Sequence, residues 1–320
     1  MIKLNIFYFF GYKYDIRGYI VSLNLETEAL NISANGIDTM STAEILRIIN
    51  DNDKGVALAV SKVIPAINDL VDACFVSIKN GARIFYVGAG TSGRLGVLDA
   101  SEILPTFGEG NFFVGLIAGG LDALVIPIEG AEDDANSLIG DLKSKNFSKD
   151  DFLIGITASG RTPCVVGALD YAKSVGAMTG AISCVSHSKV SEHADFAVDC
   201  PVGAEVISGS TRMKSGTATK MILNMISTTI MVKYGKVFNG FMVDVKPSNE
   251  KLVMRATGII KNICDIDDDS AKDLLERSGF NVKVAIIMGL TKIYDTSLIG
   301  DILMAEGNNV AAAIRKLKTK

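Results

Sequence analysis

Four short apolar runs, at 84–87, 112–117, 152–156 and 178–184, alternate along the middle of the chain with longer stretches of helical spacing. Unbroken apolar runs of strand length, separated by segments long enough for a crossover helix, predict a buried parallel sheet covered by helices on both faces. The fold class expected is therefore α/β, with a mostly parallel, doubly wound sheet. Upstream, Ser41 and Glu44 have capping-box spacing, in which the hydroxyl serves a first-turn amide and the glutamate reaches back. From there to about residue 80 the apolar positions recur at helical intervals, with Val60, Val63, Ile64, Ile67, Val71 and Phe75 on one face. Downstream, 216–234 reads as a buried helix. Beyond about Cys264 the chain turns to short charged helices punctuated by Gly279, Gly289, Gly300 and Gly307. The expected organisation is an extension of uncertain status at 1–22, a main domain with N-terminal helices at 23–263, and a small helical subdomain at 264–320.

Composition narrows the function classes. A net charge of -4 with no basic stretch gives no electropositive footprint for nucleic acid. The apolar start, IFYFFGY, is too short to span a bilayer, lacks a small-residue cleavage site and runs into the polar YKYDIRG, so it is not read as a secretory signal. Five scattered cysteines without a C-x-x-C pair fit reduced thiols in a reducing compartment. The expectation is a cytoplasmic protein with no membrane and no nucleic acid among its partners.

Two of the strand-like runs lead into related loops. GAGTSGR (88–94) follows the first and TASGRTP (157–163) the third, each placing Ser-Gly-Arg between a strand and a helix. At the carboxyl end of a parallel sheet such loops offer free amides, hydroxyls and a helix N-terminus to one crevice, which suits an anion. Thr162 before Pro163 has N-cap and first-turn character. A third polar segment, SGSTRMKSG (208–216), precedes the buried helix. Either loop alone is also explained as a tight turn that needs glycine for its backbone; two of them at one sheet end favour a phosphate. Gly88, Gly90 and Gly93 match G-x-G-x-x-G, but the next strand-like run leads into Ala118-Gly119-Gly120 rather than an acid for a ribose, which counts against a dinucleotide.

Candidate chemistry then falls to carboxylates. Only His187 and His193 are present, and with Cys184 and Cys200 they fit no common zinc spacing. Asp265, Asp267, Asp269, Asp273 and Glu276 echo a calcium loop, yet Ser270 stands where the turn needs glycine, so an acidic helix start is the better reading. No metal is expected. Asp99 and Glu102, and then Glu129, Glu132, Asp133 and Asp134, follow the first loop; they are either solvated charge or an acid and base held in a partly desolvated crevice.

Taken together, GAGTSGRLGVLDASEILPTFG, LIAGG, IEGAEDD, GITASGRTP and GSTRMKSGTATKMILNMIST closely resemble the N-acetylmuramic acid 6-phosphate etherases of the sugar isomerase (SIS) superfamily. TEALNISANGID resembles that family's opening, and the likeness runs from about Leu23 to the C-terminus. The resemblance implies a three-layer αβα SIS domain, a small helical C-terminal subdomain, and a homodimer that completes its active sites across the interface. The implied activity is a carbon–oxygen lyase without cofactor or metal: N-acetylmuramate 6-phosphate and water give N-acetylglucosamine 6-phosphate and D-lactate, in cell-wall amino-sugar recycling. Matched to the family motif, Glu102 takes the proton-donor position and Glu132 the other catalytic position. Which glutamate removes the C2 proton is left open. From loop position Thr91, Ser92, Ser159 and Thr162 are expected phosphate ligands, with Arg94, Arg161, Ser210 and Lys214 beside them. Glu129 would bind sugar hydroxyls or brace its loop. Leu30 stands where the family carries arginine. A non-catalytic sugar-phosphate sensor, like the glucokinase regulatory proteins, and an aldose-ketose isomerase are the rival readings.

Overall fold

The computed structural model describes residues 26–319 apart from 129, 246 and 248, together with the backbone of an antiparallel pair, β1 (Phe7–Phe9) and β2 (Tyr12–Tyr14). The remainder of the 1–22 extension lies outside the described residues. The chain divides into two compact units, one of 1–100 with 114–225 and one of 101–113 with 226–320.

In the first unit α1 (Thr42–Lys62) starts at the expected capping box: the Glu44 amide donates to the Ser41 hydroxyl, and the Ser41 amide donates to the Glu44 carboxylate at 2.8 Å. A second helix, α2 (Ile64–Lys79), begins at once with Pro65 in its first turn. Proline has no amide to continue the α1 ladder but suits a helix start, so the chain restarts rather than running through. That break splits the single apolar face expected across 60–75. Val60, Ile67 and Val71 are buried, whereas Ile64 is exposed.

The sheet follows as β3 (Ile84–Gly88), α3 (Gly90–Phe107), β4 (Phe113–Ile117), α4 (Ser137–Ser144), β5 (Phe152–Thr157), α5 (Pro163–Ser174), β6 (Met178–Ser183), α6 (Lys189–Glu192), β7 (Phe196–Asp199) and α7 (Lys214–Lys233). The strand order is β4-β3-β5-β6-β7, and β3, β5, β6 and β7 pair in parallel, with Ile84, Phe152 and Met178 in register. Alternate residues serve opposite faces. Phe85, Val87 and Leu153 pack against Leu138, Leu142, Val165 and Leu169 of α4 and α5. On the other face Gly96 of α3 lies against Tyr86 and Ile156, and Gly180 of β6 lies against Leu70 of α2. The result is the expected three-layer αβα sandwich. The strand β7 was not legible in the sequence, because of its four residues only Val198 is fully buried and the apolar run is too short to stand out.

The second unit is a helical assembly: α8 (Glu250–Cys264), α9 (Asp268–Arg277), α10 (Val282–Thr291), α11 (Thr296–Ala305) and α12 (Val310–Lys318), preceded by a two-strand ribbon, β8 (Val237–Phe238) and β9 (Phe241–Met242). Asn249, Asp267, Asn281, Asp295 and Asn309 each cap a helix through the side chain. The Asp267 cap, accepting from the Ser270 amide, gives the aspartate-rich run its structural role. The sequence reading placed the subdomain boundary at 263/264, but α8 contributes Ala256, Ile259 and Ile260 to the same core as Leu275, Ile286 and Ile299. The segment 101–113 joins this unit through charge as well. Lys236, nearly buried, bonds to both Glu109 and Asp244, and Lys283 reaches Asp244 at 3.2 Å.

Candidate active site

Leaving β3 the chain goes to β4 on one side and later to β5 on the other, so the carboxyl ends of β3 and β5 flank the point where the winding reverses. Open α/β sheets bind ligands there. A cavity of about 570 Å³ occupies that position in the first unit, and both Ser-Gly-Arg loops line it. Thr91 and Ser92 come from the first turn of α3; Ser159, Arg161 and Thr162 come from the loop between β5 and α5; Glu132 and Asp133 form a further wall. Among the described residues Arg161 is the one cation in the lining.

Local chemistry explains each placement. Gly88 and Gly93 allow α3 to start almost on top of the strand: a Cβ on Gly93 would stand 2.6 Å from the Gly88 carbonyl oxygen and 2.6 Å from Ile117 Cγ1. That close approach turns the free amides of the α3 N-terminus into the cavity, where helix-end amides and the macrodipole favour an anion. Thr162 does precede α5, with Pro163 in the first turn, but its hydroxyl makes no capping bond. It pairs instead with the Thr157 hydroxyl at 2.7 Å, and Ser159 lies 3.4 Å from that same oxygen, so the second loop presents a cluster of hydroxyls.

Three of the expected ligands stand differently. Arg94 turns away: its Nε donates to the Leu124 carbonyl at 3.0 Å, and the side chain lines a separate cavity of about 280 Å³ that shares Ala89, Gly90 and Glu132 with the first. Lys214 is buried, with its ammonium on the Val202 carbonyl at 2.8 Å, so it ties down a loop instead of lining the cavity. Ser210 is also absent from the lining, and Thr211 takes that place. Glu129 lies outside the described residues.

Glu132 is exposed to the cavity solvent and its carbonyl accepts from the Cys164 amide at 3.0 Å. Glu102 lies further along α3, in the second unit, and is exposed. Exposure of both is the solvated one of the two alternatives that the sequence left open. Asp99, three residues earlier on α3, is buried.

Two glutamates were missed. Glu28 lines the cavity from a single helical turn, Glu26–Glu28, held by the Gly209 amide on the Thr27 carbonyl and the Ser208 hydroxyl on the Glu28 carbonyl, each at 3.0 Å. The TEALN block was its only sequence signal. Glu205, 1% exposed, accepts from the Lys214 and Ser215 amides and the Ser215 hydroxyl, so it occupies the N-terminus of α7, where the third polar segment ends. Neither histidine joins the cavity; His193 pairs with Asp170 at 2.6 Å. Among the described residues no cluster of three or more His, Cys, Asp or Glu is placed to hold a metal ion, and no helix is long and apolar enough to cross a membrane.

The family model of the glucokinase regulatory protein N-terminal SIS domain matches residues 66–173, and that of the SIS domain matches 136–228. A phosphoheptose isomerase from Francisella tularensis superposes with a TM-score of 0.48 at 15% identity, covering 60% of this chain and 100% of that one. The N-acetylmuramic acid 6-phosphate etherase of Lactobacillus gasseri is 47% identical over 92% of this chain and 99% of its own. That of Clostridium botulinum is 51% identical over 295 residues, 92% of this chain and 98% of its own. Identity at that level, sustained over nearly the full length of both sequences, decides the matter: the chain belongs to the N-acetylmuramic acid 6-phosphate etherase family.

Proposed function

We infer that the chain performs its family's reaction, releasing D-lactate from the C3 ether of N-acetylmuramate 6-phosphate to leave N-acetylglucosamine 6-phosphate, as part of amino-sugar recycling in the cytoplasm. The observation that carries this reading is the meeting of both hydroxyl-bearing loops and Glu132 in one cavity at the switch point. The phosphate would sit on the α3 amides with Thr91, Ser92, Ser159, Thr162 and Arg161 around it, since charge-assisted bonds to a dianion are the strong ones. In the open-chain sugar the aldehyde acidifies the C2 hydrogen. A carboxylate removes that proton, the electron pair forms the C2=C3 double bond, and the C3–O bond breaks as a carboxyl group gives a proton to the lactyl oxygen. Water then adds at C3 and C2 is reprotonated, so atoms balance with water as the sole co-reactant.

Glu102 and Glu132 are the two carboxyl groups of this scheme. The exposure of Glu102 favours a homodimer in which a second copy completes the site. Leu121, Val125 and Ile126, 80%, 84% and 62% exposed a few residues ahead of Glu132, supply apolar surface for such an interface. Cytoplasmic residence is supported by five free thiols, four of them buried.

The match of 66–173 to a regulatory-protein domain keeps a sugar-phosphate sensor as the second reading. One experiment separates them: D-lactate release from N-acetylmuramate 6-phosphate in oxygen-18 water by wild type, Glu102→Gln and Glu132→Gln. The etherase gives heavy oxygen at C3 and loses about 100-fold or more of its rate in either folded variant. Tight binding with no lactate from wild type makes it a sensor.

A further inference from the structure

N-Acetylmuramate 6-phosphate carries a second anion, the lactyl carboxylate, and the cavity is poorly suited to it. Glu28, Glu132 and Asp133 stand in its walls, and Arg161, the one cation in its lining among the described residues, is the residue proposed above for the phosphate. Arg94 in the adjoining cavity is committed to the Leu124 carbonyl and shares that cavity with Glu132. A carboxylate at the C3 end therefore needs a cation from elsewhere, both to bind and to leave as lactate.

A groove of about 310 Å³ runs on from the other side of Thr91, lined by Leu95, Arg212, Thr217, Lys220 and Met221. Two features make it continuous with the cavity. Thr91 borders both, and Thr211 faces the cavity while the next residue, Arg212, faces the groove. Gly216 brings the start of α7 close to Thr91, since a Cβ there would lie 3.6 Å from Thr91 Cγ2. Neither cation is spent on an acid. Among the described residues Arg212 and Lys220 make no ion pair, and the nearby Glu205 is sequestered on the α7 amides. Lys220 is also oriented from beneath. With its amide nitrogen toward Asp99, Asn224 donates to Asp99 Oδ1 at 3.2 Å and accepts from the Lys220 ammonium. Asp99 is buried, so the amide that meets the Lys220 ammonium is held from inside the fold.

We propose that Arg212 and Lys220 bind the lactyl carboxylate of the substrate, making this groove the specificity subsite that distinguishes a muramyl sugar from a plain amino-sugar phosphate. The proposal rests on the etherase reading for the identity of the ligand. Guanidinium and ammonium here act from the far side of Thr91, so the phosphate and the carboxylate hold the two ends of the sugar while the carboxylates of the cavity face its middle.

The test is a comparison of two ligands. Dissociation constants for N-acetylmuramate 6-phosphate and N-acetylglucosamine 6-phosphate are measured by titration calorimetry with Glu132→Gln alone, and with Arg212→Gln, Lys220→Gln or Arg212→Lys added. Both positions are exposed, so folding is retained, and melting curves verify it. Arg212→Gln and Lys220→Gln should each weaken the muramyl ligand about tenfold, which is the scale of one charge-assisted hydrogen bond, and change the other ligand by less than about twofold. Arg212→Lys should restore part of the loss. Equal losses for both ligands, no loss for either, or no preference for the muramyl ligand before the groove is altered overturns the proposal. Failure of the etherase reading shows differently, as intact discrimination between the ligands with no lactate released by wild type.

Discussion

The two Ser-Gly-Arg loops look like copies in the sequence and are built on different physical principles. The first is held by backbone sterics: Gly88 and Gly93 touch because neither has a side chain, and α3 starts directly on that contact. The second is held by a carboxylate. Gly160, at φ 69°, packs under Ser188, and its carbonyl accepts from the Val190 amide at 2.9 Å. Ser188 and Ser191 in turn bond to Asp199, which also takes the Ser183 hydroxyl at 2.7 Å. Burial pushes the Asp199 carboxyl up, but the bonds from Ser183, the Ser188 amide, Ser191 and the Ser188 hydroxyl together hold it below the usual carboxylate range. One loop thus rests on a steric fit, and the other is tied to an ionised acid.

The sharpest way to break this contrast is Gly93→Ala. The added methyl meets a backbone oxygen and a buried isoleucine, neither able to withdraw, so a loss of about 3 kcal/mol is expected. Urea unfolding at pH 7 and at pH 4 should show the same deficit at both. Asp199→Asn comes next, at about 2 kcal/mol at pH 7 for charge-assisted bonds replaced by neutral ones. Its sign with pH is fixed by the lowered pKa. Asp199 contributes fully above the unfolded aspartate value of about 3.9, and the contribution drains away as pH falls through the lower folded value. The gap between wild type and Asp199→Asn should therefore narrow toward pH 4 and below. A gap that stays constant would mean the loop is held by shape alone, like the first.

The same contrast explains what the sequence could reveal. Element type and order were legible because the four main strands are uninterrupted apolar runs and the loops end them in glycine and hydroxyls. Thr91, Ser92, Ser159, Arg161, Thr162 and Glu132 were legible as a set because strand-end loops of a parallel sheet must face the same edge. Side-chain direction within a loop was not. Arg94 and Arg161 occupy the same place in their motifs, but Arg94 is already inside α3, where the helix turns it toward Leu124, while Arg161 precedes the first residue of α5. Lys214 and Glu205 were illegible for a related reason: only the folded chain brings Glu205 under the start of α7. Glu28 reaches the cavity because Ser208 bonds to its carbonyl and Gly209 to that of Thr27, tertiary contacts that no local pattern announces.

The two arginines give the finest test of the comparison. Arg161→Gln removes the cation from the wall of the cavity, so the KM for N-acetylmuramate 6-phosphate should rise about tenfold, the scale of one charge-assisted hydrogen bond to phosphate, with a smaller change in kcat. Arg94→Gln loses a bond to a backbone carbonyl instead. Its expected signature is a stability loss of about 1 kcal/mol, read as a lower urea midpoint, with KM altered less than about twofold. The reverse pattern, a KM effect at Arg94 and a stability effect at Arg161, would mean that bound substrate redraws the first loop and pulls the guanidinium off Leu124. In that event the likeness of the two motifs would reflect shared function after all, with the first loop reaching its working form only around the phosphate.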